Sequence, residues 1–144
     1  MKILLDINVL LDVFQARVPY YETSAQVLSL CTDSIRCYIS AISFGTLNYI
    51  LAKGLGRQQA LIHLKKIRAF TKVAPVDAQV IDLAINSHFS DLEDAIQYYC
   101  SLRSKLTHII TRNKKDYKKA KIVVATPDEF LKMLEPATKE NSEK

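Results

Sequence analysis

The sequence is poor in residues that break a chain or staple it. Three glycines and four prolines in 144 residues exclude collagen-like tracts, and 49% apolar with 24% charged residues is close to the globular average, which excludes a disordered chain. Cys31, Cys37 and Cys100 are odd in number, lack C-x-x-C spacing and have no histidine three to five residues away. They read as reduced, mostly buried thiols, not as a zinc site or a disulfide framework. No apolar run approaches the roughly 20 residues of a membrane span, because Asp6, Asn8 and Asp12 interrupt the apolar start MKILLDINVLLDVF. That interruption also argues against a secretory leader, so the expected compartment is the cytoplasm, with no membrane partner. His63 falls in a helical stretch, His88 in a loop and His108 in a strand, with no pairing for metal-free acid–base hydrolysis.

What is present is an alternation of short β-rich runs and longer segments of helical period, the pattern of an α/β domain around a mainly parallel sheet. One domain is expected over residues 1–134, with a polar, disordered tail at 135–144. Lys2–Asp6 is a continuous apolar run ending on an acid and reads as a central strand buried on both faces. Arg36–Ile39, Lys72–Ala74, Thr107–Thr111 and Lys121–Val124 are further strand candidates. A helix is expected from Ser43 to Lys53, broken by Gly54 and Gly56, and another carries Ala60, Leu61, Leu64, Ile67 and Phe70. Asp77 can cap a third helix, Ser90-Asp91-Leu92-Glu93 has the form of a capping box for a fourth, and Thr126-Pro127-Asp128-Glu129 opens the last.

In an open parallel sheet, functional groups collect at the carboxyl ends of strands, near the point where strand order reverses. Asp6 ends the first strand, the segment after Thr111 ends another, and the helix that begins near Asp91 brings Asp91, Glu93 and Asp94 toward them. Asp116 lies a short loop further on. Carboxylates gathered in one place repel one another unless a cation neutralises them. The expected cation is Mg²⁺ or Mn²⁺, which takes oxygen ligands and shares its site with substrate phosphate, so the expected chemistry is metal-assisted hydrolysis of a phosphodiester. Plainer roles stand beside this one. Asp6 can simply end a strand with Asn8 capping the next helix, Glu93 can belong to the capping box, and Asp91 can favour the helix N-terminus. Asp94 has the weakest structural excuse, and with Asp6 it is the leading candidate.

Four ordered blocks, LLDINVLLDVF, YISAISFGTLNYIL, SDLEDAIQYYCS and IITRNKKDY, resemble the PIN domain family, in particular the subgroup with D-x-E-D-A and T-R-N-x-x-D motifs. The resemblance runs from Met1 to about Leu131. It implies a three-layer α/β/α sandwich and a Mg²⁺- or Mn²⁺-dependent endoribonuclease, the toxin component of a toxin–antitoxin pair, with RNA as substrate, an antitoxin protein as partner and a homodimer as assembly. By the same resemblance Asp6, Asp94, Asn113 and Asp116 are the metal-site positions, with Asn8 and Thr111 supporting them; from the acidic constellation itself, Glu93 is expected to join Asp6, Asp94 and Asp116 as a catalytic carboxylate, with Asp91 supporting. Two departures stand out. The block Phe44–Tyr49 has no glutamate, with Thr46 and Asn48 nearby, and a neutral Asn113 stands where an aspartate is common. Glu93 and Asp91 are expected to compensate.

The formal charge of +5 is unevenly distributed. Leu51–Lys72 and Arg103–Lys121 are strongly basic, the second interrupted only by Asp116, while Val73–Asp94 holds five acids and no base. A basic loop flanking the acids suits a phosphate backbone, and Arg112 and Lys115 are nearest. The tyrosines, Tyr117 among them, could stack on bases, although most fit a core or interface. Two other readings remain open: a PIN-like RNA-binding or antitoxin-binding module with a weak or lost site, and a haloacid-dehalogenase-type phosphatase, for which Asp6-Ile7-Asn8 lacks the second aspartate of D-x-D.

Overall fold

The computed structural model describes residues 1–117 and 121–135. The tail expected from Glu135 onward lies outside them except for Glu135 itself, as do Lys118 and Lys119 of the second basic segment.

Strands β1 (Lys2–Leu5), β2 (Arg36–Ser40), β3 (Lys72–Ala74), β4 (His108–Ile110) and β5 (Val123–Ala125) form one sheet in the order β3-β2-β1-β4-β5. Every neighbouring pair is parallel. Helices α1 (Ile7–Phe14) and α2 (Tyr21–Ser29) connect β1 to β2, α3 (Ser43–Leu55) and α4 (Arg57–Phe70) connect β2 to β3, and α5 (Ala78–Ile85) and α6 (Leu92–Arg103) connect β3 to β4. A 3-10 turn at Lys114–Tyr117 lies between β4 and β5, and α7 (Pro127–Leu134) follows β5.

The apolar run of β1 does what its composition implies. Ile3 and Leu5 pack into one core with Val9, Leu10, Val27, Leu47 and Phe130, on the side of α1 to α4 and α7. Leu4 packs into the opposite core with Val80, Ala95, Ile96 and Tyr98, under α5 and α6. All three strand residues are fully buried, so the strand is covered on both faces and the expected α/β/α sandwich is borne out. The chain winds outward from β1 to β3, then returns to the far side of β1 for β4 and β5. Strand order therefore reverses between β1 and β4, and the carboxyl ends of these two strands, Asp6 and Thr111, flank the crevice where ligands bind in such sheets.

Several local expectations are corrected. Ser90 does not cap α6: Asp91 is the N-cap, its Oδ1 accepting the Asp94 amide at 3.0 Å, so the helix starts one residue later and Glu93 is no part of a capping box. At α1 the N-cap position is Asp6, which puts Asn8 inside the first turn, not before it. Gly54 stays within α3, and Gly56, at φ +88°, ends it in a backbone region that glycine enters without strain. β5 sits at Val123–Ala125 because its register against β4 pairs His108 with Val123 and Ile110 with Ala125. The cysteine reading changes most. Cys31 and Cys37 form a disulfide, since the end of α2 and the start of β2 bring their Cα atoms to 5.5 Å, within the range that the bond requires. Cys100 remains the free, buried thiol that was expected, and burial pushes it up to about 11. The capping box of α7 is complete, with Thr126 and Glu129 bonding reciprocally and Pro127 in the first turn.

Candidate active site

The site grows from the ends of β1 and β4. Pairing of these strands carries through to the Asp6 amide, which donates to the Ile110 carbonyl at 3.0 Å and fixes the backbone from which the carboxylate projects. Asp6 is only 6% exposed, and its firm side-chain partner is neutral: the Thr111 hydroxyl donates to Oδ2 at 2.8 Å. Thr111 Oγ1 in turn accepts the Asn113 amide at 3.1 Å, which folds the following loop back toward the strand end.

Helix α6 supplies the second group. Asp94 lies in its first turn, and its Oδ1 accepts from the Tyr117 hydroxyl at 3.2 Å. Gln97, one turn along, donates to the same hydroxyl at 3.2 Å, so a tyrosine from the 3-10 turn and a buried amide hold one carboxylate oxygen in place. Glu93 is half-buried and faces the Thr46 hydroxyl on α3. Thr46 belongs to the block without a glutamate, so a carboxylate from α6 reaches the region that block would otherwise serve. Asp116 rides on the 3-10 turn, half-buried.

Electrostatics tie these groups together. Burial raises the Asp6 carboxyl, with Asp116 adding repulsion, while Thr111 and the amides of Ile7 and Asn8 at the open end of α1 pull the other way. Asp94 is pushed up to about 7, first by burial and then by the charges of Asp91, Asp6 and Asp116. Glu93 is raised by burial, opposed by Thr46, with further repulsion from Asp6 and Asp91. The carboxylates therefore act on one another through a partly dehydrated space.

That environment fits a hard divalent cation. A buried carboxylate set with only neutral donors gains from a positive charge at its centre. Asn8 adds a carboxamide oxygen that is buried without a hydrogen-bond partner. Among the described residues no group of three Asp, Glu, His or Cys side chains forms a ready cage.

Other expected residues sit at the margin. Asn113 and Lys115 are exposed on the loop after Thr111. Arg112 points elsewhere: its Nε donates to Asp12 Oδ2 at 2.9 Å, and its guanidinium lies 4.0 Å from the centre of the Tyr20 ring. Asp12, on α1, is fully buried and also accepts from Ser24 at 3.0 Å. This lock was missed in the sequence, where Asp12 appears only as an interruption of an apolar run. The holding pair Tyr117 and Gln97 was missed as well, because nothing local in the sequence links them to Asp94. Of the histidines, His63 packs on Phe14 and His108 on Phe130.

A parallel sheet whose order reverses at an acidic crevice defines a class of α/β domain, and the sequence model of the PIN domain matches residues 2–115. The chain belongs to the PIN domain family. Ribonuclease VapC1 of Aquifex aeolicus (strain VF5) is 27% identical over 135 residues, covering 90% of this chain and 92% of that protein. Among solved structures, a DNA-bound VapBC from Salmonella typhimurium superimposes with a TM-score of 0.67 at 19% identity, over 88% of this chain and 98% of that one. A toxin–antitoxin complex from Klebsiella pneumoniae gives a TM-score of 0.66 at 22% identity, over 86% and 96%. Family membership removes the phosphatase reading. No helix among the described residues is long and apolar enough to cross a membrane.

Proposed function

We propose that this chain is a divalent-cation-dependent endoribonuclease of the VapC type, the toxin half of a toxin–antitoxin pair that acts in the cytoplasm. The observation that carries this reading is the gathering of acids around the buried Asp6 at the switch point of the sheet: Asp116 repels it, its charge acts on Glu93 and Asp94, and Thr111 and Tyr117 offer neutral donors. The name of the Aquifex relative and the toxin–antitoxin complexes among the structural neighbours support it. An antitoxin and a second copy of the chain are the protein partners this reading carries.

Asp6 and Asp94 would hold Mg²⁺ or Mn²⁺, with Asp116 and the Asn113 carboxamide beside them and Asn8 and Asp91 supporting. When bound, the cation activates water and offsets the charge that grows on the phosphoryl oxygens. The chain's own residues do the rest. Thr111 keeps one oxygen of Asp6 oriented, Tyr117 keeps one oxygen of Asp94 oriented, and Glu93 is the carboxylate that accepts the proton of the attacking water. Lys115, exposed on the loop beside the acids, meets the phosphate backbone, so binding weakens as salt rises. Arg112 contributes mainly by fixing the start of that loop to Asp12.

The test is cleavage of single-stranded RNA with Mg²⁺ or Mn²⁺ by the native chain and by Asp6→Asn and Asp94→Asn. Metal-dependent cutting that both substitutions abolish supports the reading. RNA binding without cutting in either metal would replace it with a binding module.

A further inference from the structure

Beside the acids lies a cavity of about 480 Å³ whose aromatic wall has no part in the hydrolytic machinery. Phe89, Tyr98 and Tyr99 line it, with Lys115, Asp116 and Lys121 also in its wall. The aromatic rings form one cluster: Phe89 stands 5.2 Å from Tyr98 and 6.3 Å from Tyr99, and Tyr98 stands 5.0 Å from Tyr99. Phe89 also meets Tyr117 edge-on at 6.1 Å, and Tyr117 is the residue that holds Asp94. The cavity adjoins the acidic site at the shared Asp116, and Phe89 in its wall packs on the Tyr117 that holds Asp94. Both lysines are exposed, and neither is in an ion pair among the described residues.

We propose that this cavity is a nucleobase subsite, which takes the base of a nucleotide next to the scissile phosphate against the half-buried rings of Phe89 and Tyr99, backed by the buried Tyr98, while Lys115 and Lys121 hold its phosphates. The chemistry favours a nucleotide over a purely apolar ligand. Rings that offer π-faces accept any base by stacking, and cations at the rim supply the charge that a phosphodiester needs. The volume is that of a small-molecule pocket and not of a flat protein-docking face. The inference rests on the nuclease reading for the words "scissile phosphate", but base binding itself can be measured without hydrolysis.

The binding experiment uses the full chain with Asp6→Asn and short single-stranded RNAs that carry 2-aminopurine at successive positions. Stacking quenches this base, so one position is expected to be quenched well beyond the others, and adding Tyr99→Leu, which keeps apolar bulk but removes the ring, abolishes the difference. Uniform quenching along the strand, or a quench that Tyr99→Leu leaves intact, overturns the proposal. In the native chain with Mn²⁺, an abasic ribose at the quenched position is expected to raise KM about tenfold, a penalty that Tyr99→Leu removes. Lys121→Gln, at an exposed position, guards against a folding defect in Tyr99→Leu. It should flatten the salt dependence of RNA binding by about 0.7 in the log–log slope, and an unchanged slope counts against the site. A clear quench in a chain that cuts no RNA supports the subsite while removing the nuclease reading. Loss of an acidic antitoxin peptide in Tyr99→Leu with RNA quenching intact would make the cavity a protein-docking surface and overturn the nucleobase assignment.

Discussion

Asp6 and Asp12 lie in the same apolar block, one turn and a half apart, and the fold buries both. It treats them in opposite ways. Asp12 faces a guanidinium at 2.9 Å, a serine hydroxyl at 3.0 Å and, beyond the guanidinium, the ring of Tyr20. Its charge is answered within the chain, and the result is a tie between α1, α2 and the loop after β4. Asp6 has one hydroxyl, the amides of Ile7 and Asn8 and three carboxylates for company, with no cation of the chain's own. In the function proposed above, the bound metal answers its charge. A buried acid with a cation holds structure together, whereas a buried acid among acids marks a place prepared for a ligand.

The contrast can be broken from either end. The largest effect on stability is expected at Asp12: Asp12→Ala leaves Arg112 half-buried without its partner and should cost about 3 kcal/mol, read as a lowered denaturant midpoint. At the acidic end the large effect is on chemistry. Asp94→Asn should cut metal-dependent RNA cleavage at least about a hundredfold, with the fold intact by circular dichroism. Tyr117→Phe keeps the packing but removes the hydroxyl on Asp94, and the Mn²⁺ needed for half-maximal cleavage should rise about tenfold.

A pH profile sharpens the same comparison. Folding raises Asp94 from its ordinary 3.8 to about 7, and it raises Asp6 and Glu93 too, so the folded chain favours the protonated forms. This contribution to stability is fully present below about pH 4 and is lost as pH climbs through about 7. The cation-free protein should therefore melt lower at pH 8 than at pH 5.5, with Mn²⁺ restoring most of the difference at pH 8. A melting temperature that rises over that window without metal would count against a crowded acidic site. The smallest effect is at the outer edge of the lock, where Tyr20→Leu should cost about 0.5–1 kcal/mol through loss of the ring beneath Arg112, checked by the same denaturant titration.

How much of this was legible in the sequence follows from the range of each interaction. An apolar run that ends on an acid is a local pattern, and it announced both β1 and Asp6. The helix carrying Asp94 was equally visible, because its period and its polar start lie within one stretch of chain. Its first residue was misplaced because Ser90 and Asp91 are both good caps, and only the geometry of the preceding turn decides between them. The partners of Asp12 were not visible: Arg112 lies 100 residues away, and its position after Thr111 suited a phosphate contact equally well. The hydroxyl of Tyr117 on Asp94 joins residues 23 apart through a 3-10 turn that no periodicity marks. Cys31 and Cys37 went unpaired for a related reason, since spacing alone does not say that α2 ends where β2 begins.

In the function proposed above, the burial of Asp6 serves a cation and not the fold. Melting of Asp6→Asn beside the native chain at pH 8, each with and without Mn²⁺, tests it most directly. Asp6→Asn is expected to be at least as stable as the native chain without metal and to gain far less from Mn²⁺. A variant that is less stable without metal yet gains as much from Mn²⁺ as the native chain would contradict it.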